Sequence, residues 1–256
     1  MPPKSTDNVE KPAPIMKSEI PRPSRGSLMV AHRCGAGLGP ENTCSAIVQS
    51  SFYRPDYYEI DLRHTSDGVP VCLHDSTLDR TTDAEGELTE ITYEELTKVD
   101  AGGWFDELFK GENIPTLSQM LDCVNPSPLA IELKEADITI EQCQEIADQL
   151  RERGDISSVV MSFEKSALDT YRSVDPNRRI GLISREFLHE LLSADYEIIA
   201  LQYSACTEEI VHSIQEAGKA VWVWTVDEDY LTYLEMGVDA IVTNHPDRYR
   251  AAAAPS

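Results

Sequence analysis

Eight short runs of strand character recur along this chain, and every gap between them contains a stretch with helical character. The strand-like runs are Leu28 to His32, Tyr57 to Arg63, Leu129 to Lys134, Ser158 to Phe163, Arg179 to Ile183, Ile198 to Gln202, Ala220 to Val226 and Asp239 to Thr243. The helical stretches are Thr43 to Ser51, Thr116 to Cys123, Ile140 to Arg153, Lys165 to Val174, Phe187 to Ala194, Thr207 to Ala217 and Tyr230 to Met236, with Gly154, Gly218 and Gly237 placed as helix C-caps. Strands joined through helices run parallel, and parallel strands bury both faces. Eightfold repetition in 256 residues predicts an α/β chain folded as one (β/α)8 TIM barrel. A doubly wound open sheet is the rival, because alternation does not report closure.

One apolar run breaks the rhythm. Val69 to His74 follows the second strand after only Thr65-Ser66-Asp67-Gly68, too few residues for a parallel crossover, so it returns antiparallel. Asp67-Gly68 is a hairpin signal, and a turn centred on that dipeptide sets His74 opposite Asp61. From residue 76 to 113 the chain is polar, contains Gly86, Gly102, Gly103 and Gly111, and lacks strand signals. It reads as a small inserted subdomain after the second strand, lying over the catalytic face.

The ends differ from the middle. Residues 1–25 hold six prolines among Lys, Glu, Ser and Asp and lack the apolar content to fold, so they read as a disordered extension. The barrel is expected over 26–250 and a short tail over 251–256. No apolar h-region and no run of about 18 apolar residues is present, so neither a secretory signal nor stable membrane insertion is expected. Cys34, Cys44, Cys72, Cys123, Cys143 and Cys206 form no C-x-x-C pair and fall in apolar or helical patterns, which predicts reduced core thiols and a cytoplasmic protein. Oligomeric state is not readable from the sequence.

Charge narrows the partners. With 45 acidic and 22 basic residues the formal net charge is -23, a surface that repels nucleic acid and anionic membrane. An anionic small molecule would need local positive charge, from Arg33, Lys134 or a metal ion.

The chemistry concentrates in three segments. Alternate side chains of a strand share a face, so Glu59 and Asp61 point the same way. Two adjacent carboxylates repel unless a cation lies between them, and hard divalent cations prefer oxygen ligands. His32-Arg33 and His74-Asp75 supply two imidazoles and a guanidinium nearby. Glu132 and Lys134 again differ by two, so one strand presents a ligand and a cation to one face. Metal-binding carboxylates beside imidazoles point to phosphate ester chemistry.

The order of these segments resembles a known family. His32-Arg33-Cys34-Gly35 through Pro40-Glu41-Asn42-Thr43 is similar to the H-R-G…P-E-N-T opening of glycerophosphodiester phosphodiesterases, Glu59-Ile60-Asp61 to their E-x-D, and Val71-Cys72-Leu73-His74-Asp75 to their V-x-x-H-D. Gly102-Gly103-Trp104, Ile114-Pro115-Thr116-Leu117, Ile131-Glu132-Leu133-Lys134, Trp224-Thr225-Val226 and Thr243-Asn244-His245-Pro246 follow in family order. The resemblance spans roughly Leu28 to Tyr249, with Cys34 standing where the family has glycine. It implies a TIM barrel hydrolysing glycerophosphodiesters to an alcohol and sn-glycerol 3-phosphate. His32 and His74 would be the acid/base pair, and Glu59, Asp61 and Glu132 the ligands of a divalent cation (Mg²⁺ or Ca²⁺). Arg33 and Lys134 would hold the phosphate, and Trp224 would wall the substrate pocket. A lysophospholipase D-type hydrolase with the same site, and a non-catalytic barrel binding module, are the alternatives. His64, His189 and His212 lie outside any motif and read as surface or structural residues; His245 lies inside one and reads as structural.

Overall fold

The computed structural model describes residues 26–155 and 157–254; the expected N-terminal extension lies outside them. Nine strands form one sheet: β1 (Leu28–Ala31), β2 (Tyr57–His64), β3 (Pro70–Cys72), β4 (Leu129–Leu133), β5 (Val159–Ser162), β6 (Ile180–Ser184), β7 (Ile198–Gln202), β8 (Ala220–Trp224) and β9 (Ala240–Thr243). Eight pair in parallel and close on themselves, because β1 hydrogen-bonds both β9 and β2. β3 alone is antiparallel, attached to β2 as a hairpin arm. Closure settles the barrel over the open sheet.

Helices α1 (Cys44–Ser51), α2 (Tyr93–Leu96), α3 (Leu117–Val124), α4 (Ile140–Glu152), α5 (Lys165–Val174), α6 (Glu208–Glu216), α7 (Tyr230–Met236) and α8 (Pro246–Ala252) fill the connections. Their starts are encoded locally. Thr92, Thr116 and Thr139 form capping boxes with Glu95, Gln119 and Gln142, satisfying backbone N–H groups that a helix leaves open. Gly154, Gly218 and Gly237 take left-handed φ values of 65°, 77° and 72° beyond the helix ends they close.

The barrel interior follows strand parity. Leu28, Val30, Tyr57, Ala130, Val159, Met161, Ile183, Ile198, Ala200, Ala220, Trp222, Ala240 and Val242 pack inside it. Residues of the opposite parity, such as Ile60, Ile131, Val160, Ile199 and Val223, join the larger core between strands and helices. Counting upward in twos from the interior set reaches His32, Glu59, Asp61, Glu132, Lys134, Phe163, Arg185, Trp224 and Asn244 at the C-terminal mouth. A period of two thus delivers the polar ring of the site.

Several expectations need correction. The hairpin pairs Leu62 with Cys72, Arg63 with Val71 and His64 with Pro70, one residue away from the expected register. Its loop is Ser66-Asp67-Gly68, with Gly68 at φ +83° and Thr65 N–H donating to the Val69 carbonyl at 3.1 Å. That is a three-residue loop needing a left-handed glycine, not a two-residue turn. Leu73 therefore faces Asp61, its N–H donating to the Asp61 carbonyl at 3.0 Å, and His74 enters the site from the segment beyond β3. The helix expected over Phe187 to Ala194 is only a 3-10 turn, His189–Leu192. Leu188 before it is extended and no side chain caps the turn. α8 continues to Ala252, past the expected tail boundary, with Pro246 in its first turn.

The cysteines also differ from expectation. Cys44 on α1 and Cys123 on α3 are joined by a disulfide, while Cys34, Cys72, Cys143 and Cys206 are free and buried. Packing of α1 against α3 brings together residues 79 apart in sequence, a proximity that spacing does not encode.

The insertion has its own small core of Val71, Leu73, Leu78, Leu88, Leu96, Ala101 and Ile114. Asp100 organises its glycine-rich end, accepting from the N–H groups of Gly102, Gly103 and Gly111 at 2.8, 2.8 and 2.9 Å. A Cβ on Gly102 would lie 1.9 Å from the Phe109 carbonyl oxygen, whereas one on Gly103 would meet only the Asp100 carboxylate at 3.3 Å. Gly102→Ala should therefore lower stability by about 1–3 kcal/mol in urea unfolding, and Gly103→Ala by less. Equal midpoints for Gly102→Ala and the parent would show that this end of the insertion is not packed as described.

Candidate active site

The loop after β1 bends sharply. Arg33, Cys34 and Gly35 take φ values of 48°, 67° and 96°, three left-handed residues in succession. For a residue with a Cβ that conformation costs roughly 1–2 kcal/mol, and both Arg33 and Cys34 accept this strain. The Cys34 Sγ is buried 3.7 Å from the Glu59 carbonyl oxygen and 3.9 Å from Met120 Sδ, which gives the side chain a packed place. The bend aims the Arg33 N–H at Glu59 Oε2 (2.6 Å) and its guanidinium at Asp61 Oδ2 (3.4 Å) and Glu41 Oε1 (2.9 Å).

Glu59, Asp61 and Glu132 are buried, and each offers an oxygen within 4.8 Å of the others. β2 and β4 put them there, with Asp61 paired in register to Glu132. Asn42, itself left-handed at φ 61°, clamps Asp61 twice. Its amide donates to Asp61 Oδ2 at 2.8 Å, and its carbonyl accepts the Asp61 N–H at 3.0 Å. Lys134 Nζ lies 2.7 Å from Glu132 Oε1 and 3.3 Å from Asp61 Oδ1.

Three carboxylates confined this closely do not ionise alike. Burial and the negative charges of Asp61 and Glu132 push Glu59 well above the usual carboxylate range. Burial and Asp61 push Glu132 up to about 7. Burial also opposes charge on Asp61, but Lys134 and Arg33 outweigh it and hold Asp61 at about 2. Glu59 Oε1 is buried without a hydrogen-bond donor, and Asp61 Oδ1 has only the Lys134 ammonium at 3.3 Å. Hard oxygen donors, mutual repulsion and undonated buried lone pairs are what a divalent cation would satisfy, so these residues fit such an ion.

Both imidazoles line the cleft, and each has Nδ1 engaged by a neighbour. His32 Nδ1 lies 2.7 Å from Asn244 Oδ1, while the Asn244 amide donates to Asp227 Oδ2 at 2.7 Å. The Asn244 oxygen is therefore the acceptor, His32 Nδ1 carries the proton, and Nε2 keeps its lone pair 3.9 Å from Glu59 Oε2. Burial and the Arg33 charge lower the His32 pKa to about 4. His74 Nδ1 lies 2.6 Å from Asp75 Oδ1, and Asp75 is held at about 2, chiefly by its hydrogen bond from Arg80, so it can only accept. Burial lowers the His74 pKa, while Asp61 and Asp75 oppose the shift.

Arg80 links the insertion to the barrel. Its Nε donates to Asp75 Oδ2 at 2.6 Å, and its terminal nitrogens grip both oxygens of Glu41 at 2.9 and 2.8 Å. Glu41 also receives Arg33, so His74, Asp75, Arg80, Glu41 and Arg33 form one continuous chain. Trp224 lines the cleft, its indole N–H donating to the Ala200 carbonyl at 3.0 Å. All the expected site residues, His32, His74, Arg33, Lys134, Trp224, Glu59, Asp61 and Glu132, are thus gathered at one mouth. The cleft has a volume of about 610 Å³ and is lined by all of them except Asp61, which lies buried beneath.

Sequence reasoning did not single out Asp227, Arg80, Phe163 or Arg185, and it quoted Asn244 within a motif without giving it a role. Parity was the available signal for Phe163, Arg185 and Asn244, each two residues beyond an inward-facing position. Arg80 and Asp227 carry no comparable pattern. His64 is structural, buried against Glu135 at 2.6 Å, and His212 is an exposed partner of Glu216.

A sequence profile of the glycerophosphoryl diester phosphodiesterase family matches residues 32–248. The chain belongs to that family. It is an enzyme of the family, and it is 32% identical over 231 residues to a glycerophosphodiester phosphodiesterase of Caldanaerobacter subterraneus subsp. tengcongensis, covering 86% of this chain and 95% of that one. A glycerophosphodiester phosphodiesterase of Bacillus subtilis is 28% identical over 270 residues, covering 92% of each. Among solved structures, an Oleispira antarctica phosphodiesterase in complex with the product sn-glycerol-3-phosphate superposes with a TM-score of 0.83 at 26% identity, over 89% of this chain and 96% of that one. A glycerophosphodiester phosphodiesterase from Agrobacterium tumefaciens gives 0.76 at 27% identity, over 88% and 99%. Among the described residues no helix is long and apolar enough to cross a membrane.

A cation at Glu59 and Glu132 would compete with protons. Glu132, pushed up to about 7 by burial and Asp61, loses its proton progressively as the pH rises through that range. Mg²⁺ affinity should rise at least about tenfold between pH 6 and pH 8, with protons released on binding at the lower pH. Titration calorimetry in two buffers of different ionisation enthalpy measures both, and a pH-independent affinity without proton release would contradict the site.

Proposed function

We infer that this chain hydrolyses glycerophosphodiesters to an alcohol and sn-glycerol 3-phosphate, with a divalent cation at Glu59, Asp61 and Glu132 and with His32 and His74 as the acid/base pair. The observation that carries the reading is the pair of imidazoles, each with Nδ1 tied back to a neighbour, sharing one cleft with the buried carboxylate cluster. Family membership supports the substrate class.

Breaking a phosphodiester requires a proton taken from the attacking oxygen, a proton given to the leaving alkoxide, and charge neutralised at phosphorus. A bound divalent cation supplies Lewis-acid charge to the phosphoryl oxygens. His32 is the better base, because a neutral amide holds its Nδ1 and its Nε2 keeps the lone pair at neutral pH. His74 is the better acid, because the ionised Asp75 behind it favours the protonated ring. A phosphodiester anion arriving in the cleft adds the negative charge that raises the proton affinity of both rings. Arg33 offers a planar fork for phosphate oxygens and Lys134 a point charge. Trp224 walls the side of the cleft where the leaving alcohol would lie.

His32→Ala and His74→Ala should each lower kcat by about 10²–10⁴-fold while remaining folded, and chelation should abolish turnover until Mg²⁺ or Ca²⁺ is returned. The assay is release of sn-glycerol 3-phosphate from glycerophosphodiesters, with a lysophospholipid in the same panel. Folded variants retaining more than a tenth of kcat would remove that histidine from the chemistry. Turnover of the lysophospholipid alone would replace the substrate class.

A further inference from the structure

The cleft has a second charged group that hydrolysis at phosphorus does not use. Further round the barrel mouth from the carboxylates, the ends of β5, β6 and β8 bring Phe163, Arg185 and Trp224 together. The two rings stand edge to face, with centroids 5.4 Å apart and planes at 87°, which makes a right-angled aromatic corner. The Arg185 guanidinium carbon occupies that corner, 5.3 Å from the Phe163 centroid and 5.9 Å from that of Trp224. Both distances fall within the roughly 6 Å reach of a cation–π contact.

An aromatic corner of this kind suits a quaternary ammonium group, and here the chain's own cation fills it. The other cleft cations are engaged elsewhere: Arg33 and Lys134 with carboxylates, and Arg63 with the His74 carbonyl at 2.9 Å. Arg185 is exposed and, among the described residues, forms no ion pair, so its donors are not taken up by a carboxylate of the chain. Glu164 is the one carboxylate outside the metal cluster that lines the cleft, and it makes no ion pair with Arg185. We propose that Arg185 is a specificity-determining residue that selects leaving alcohols rich in hydroxyl or anionic oxygens and rejects those bearing a cationic nitrogen. The guanidinium repels a second cation held at the same rings and donates to oxygen acceptors through its planar fork. This assignment rests on the phosphodiesterase reading above, since it concerns which half-molecule departs.

The test compares kcat/KM for glycerophosphoglycerol, glycerophosphoinositol, glycerophosphocholine and glycerophosphoethanolamine, with Mg²⁺ present, in the parent, Arg185→Gln and Arg185→Lys proteins. The parent should prefer the two polyol diesters by at least about tenfold. Arg185→Gln should shrink that ratio by about tenfold or more, and Arg185→Lys, which keeps the charge, should restore rejection of choline. Product inhibition by sn-glycerol 3-phosphate should stay within about twofold in every variant, because the retained half binds at the carboxylate end. A parent that prefers choline, or a ratio unchanged in Arg185→Gln, overturns the role of Arg185 and leaves the phosphodiesterase reading standing. Turnover of none of the four diesters by the parent overturns that reading, and the present one with it.

Discussion

Repulsion among three buried carboxylates is the constraint around which this barrel mouth is built. Glu59, Asp61 and Glu132 offer oxygens within 4.8 Å of one another, in surroundings too dry to screen them. Each neighbour can be understood as a response. Lys134 and Arg33 hold Asp61 ionised, Asn42 fixes it from both its side chain and its N–H, and the left-handed bend at Arg33 supplies a backbone donor to Glu59. Even so, Glu59 and Glu132 favour their protons. The protein's own cations therefore leave the cluster undercharged, a deficit that a divalent ion would complete.

The same economy of charge operates at longer range. A chain with a formal net charge of -23 repels phosphodiesters over most of its surface. Screening at physiological salt confines that repulsion to about 8 Å, so a substrate reaching the cleft is governed by the groups lining it. Arg33, Arg63, Lys134 and Arg185 all line that cleft, against Glu59, Glu132 and Glu164. Positive charge is concentrated where the reaction needs it, and the insertion contributes Arg80 to hold the arrangement rigid from outside.

Much of this was legible in the sequence because barrel geometry is periodic. Eight strand runs marked the parallel strands, whose closure rests on the β1 pairings to β2 and β9, and the period of two placed Glu59 beside Asp61 and Glu132 beside Lys134. Where periodicity ends, legibility ends. Asp67-Gly68 suggested a two-residue turn, but Thr65 accepts from the Val69 N–H at 3.0 Å and donates to Asp67 at 2.6 Å, which favours the longer loop and shifts the register. His74 reached the site by a route the hairpin pattern did not contain. The Cys44–Cys123 link and the Arg80 bridge join segments distant in sequence through tertiary packing alone. Phe163 and Arg185 were readable by parity but no motif marked them, while Asn244 stood in a quoted motif that carried no role for it.

The central claim is that Glu59, Asp61 and Glu132 are completed by one divalent ion. The most direct measurement is anomalous diffraction from crystals grown with Mn²⁺ and sn-glycerol 3-phosphate. The account predicts a single peak with oxygens of all three carboxylates at about 2.0–2.4 Å, and the phosphate of the product on the same ion. No peak among the three, or an ion bound elsewhere while Lys134 alone neutralises the cluster, would contradict it.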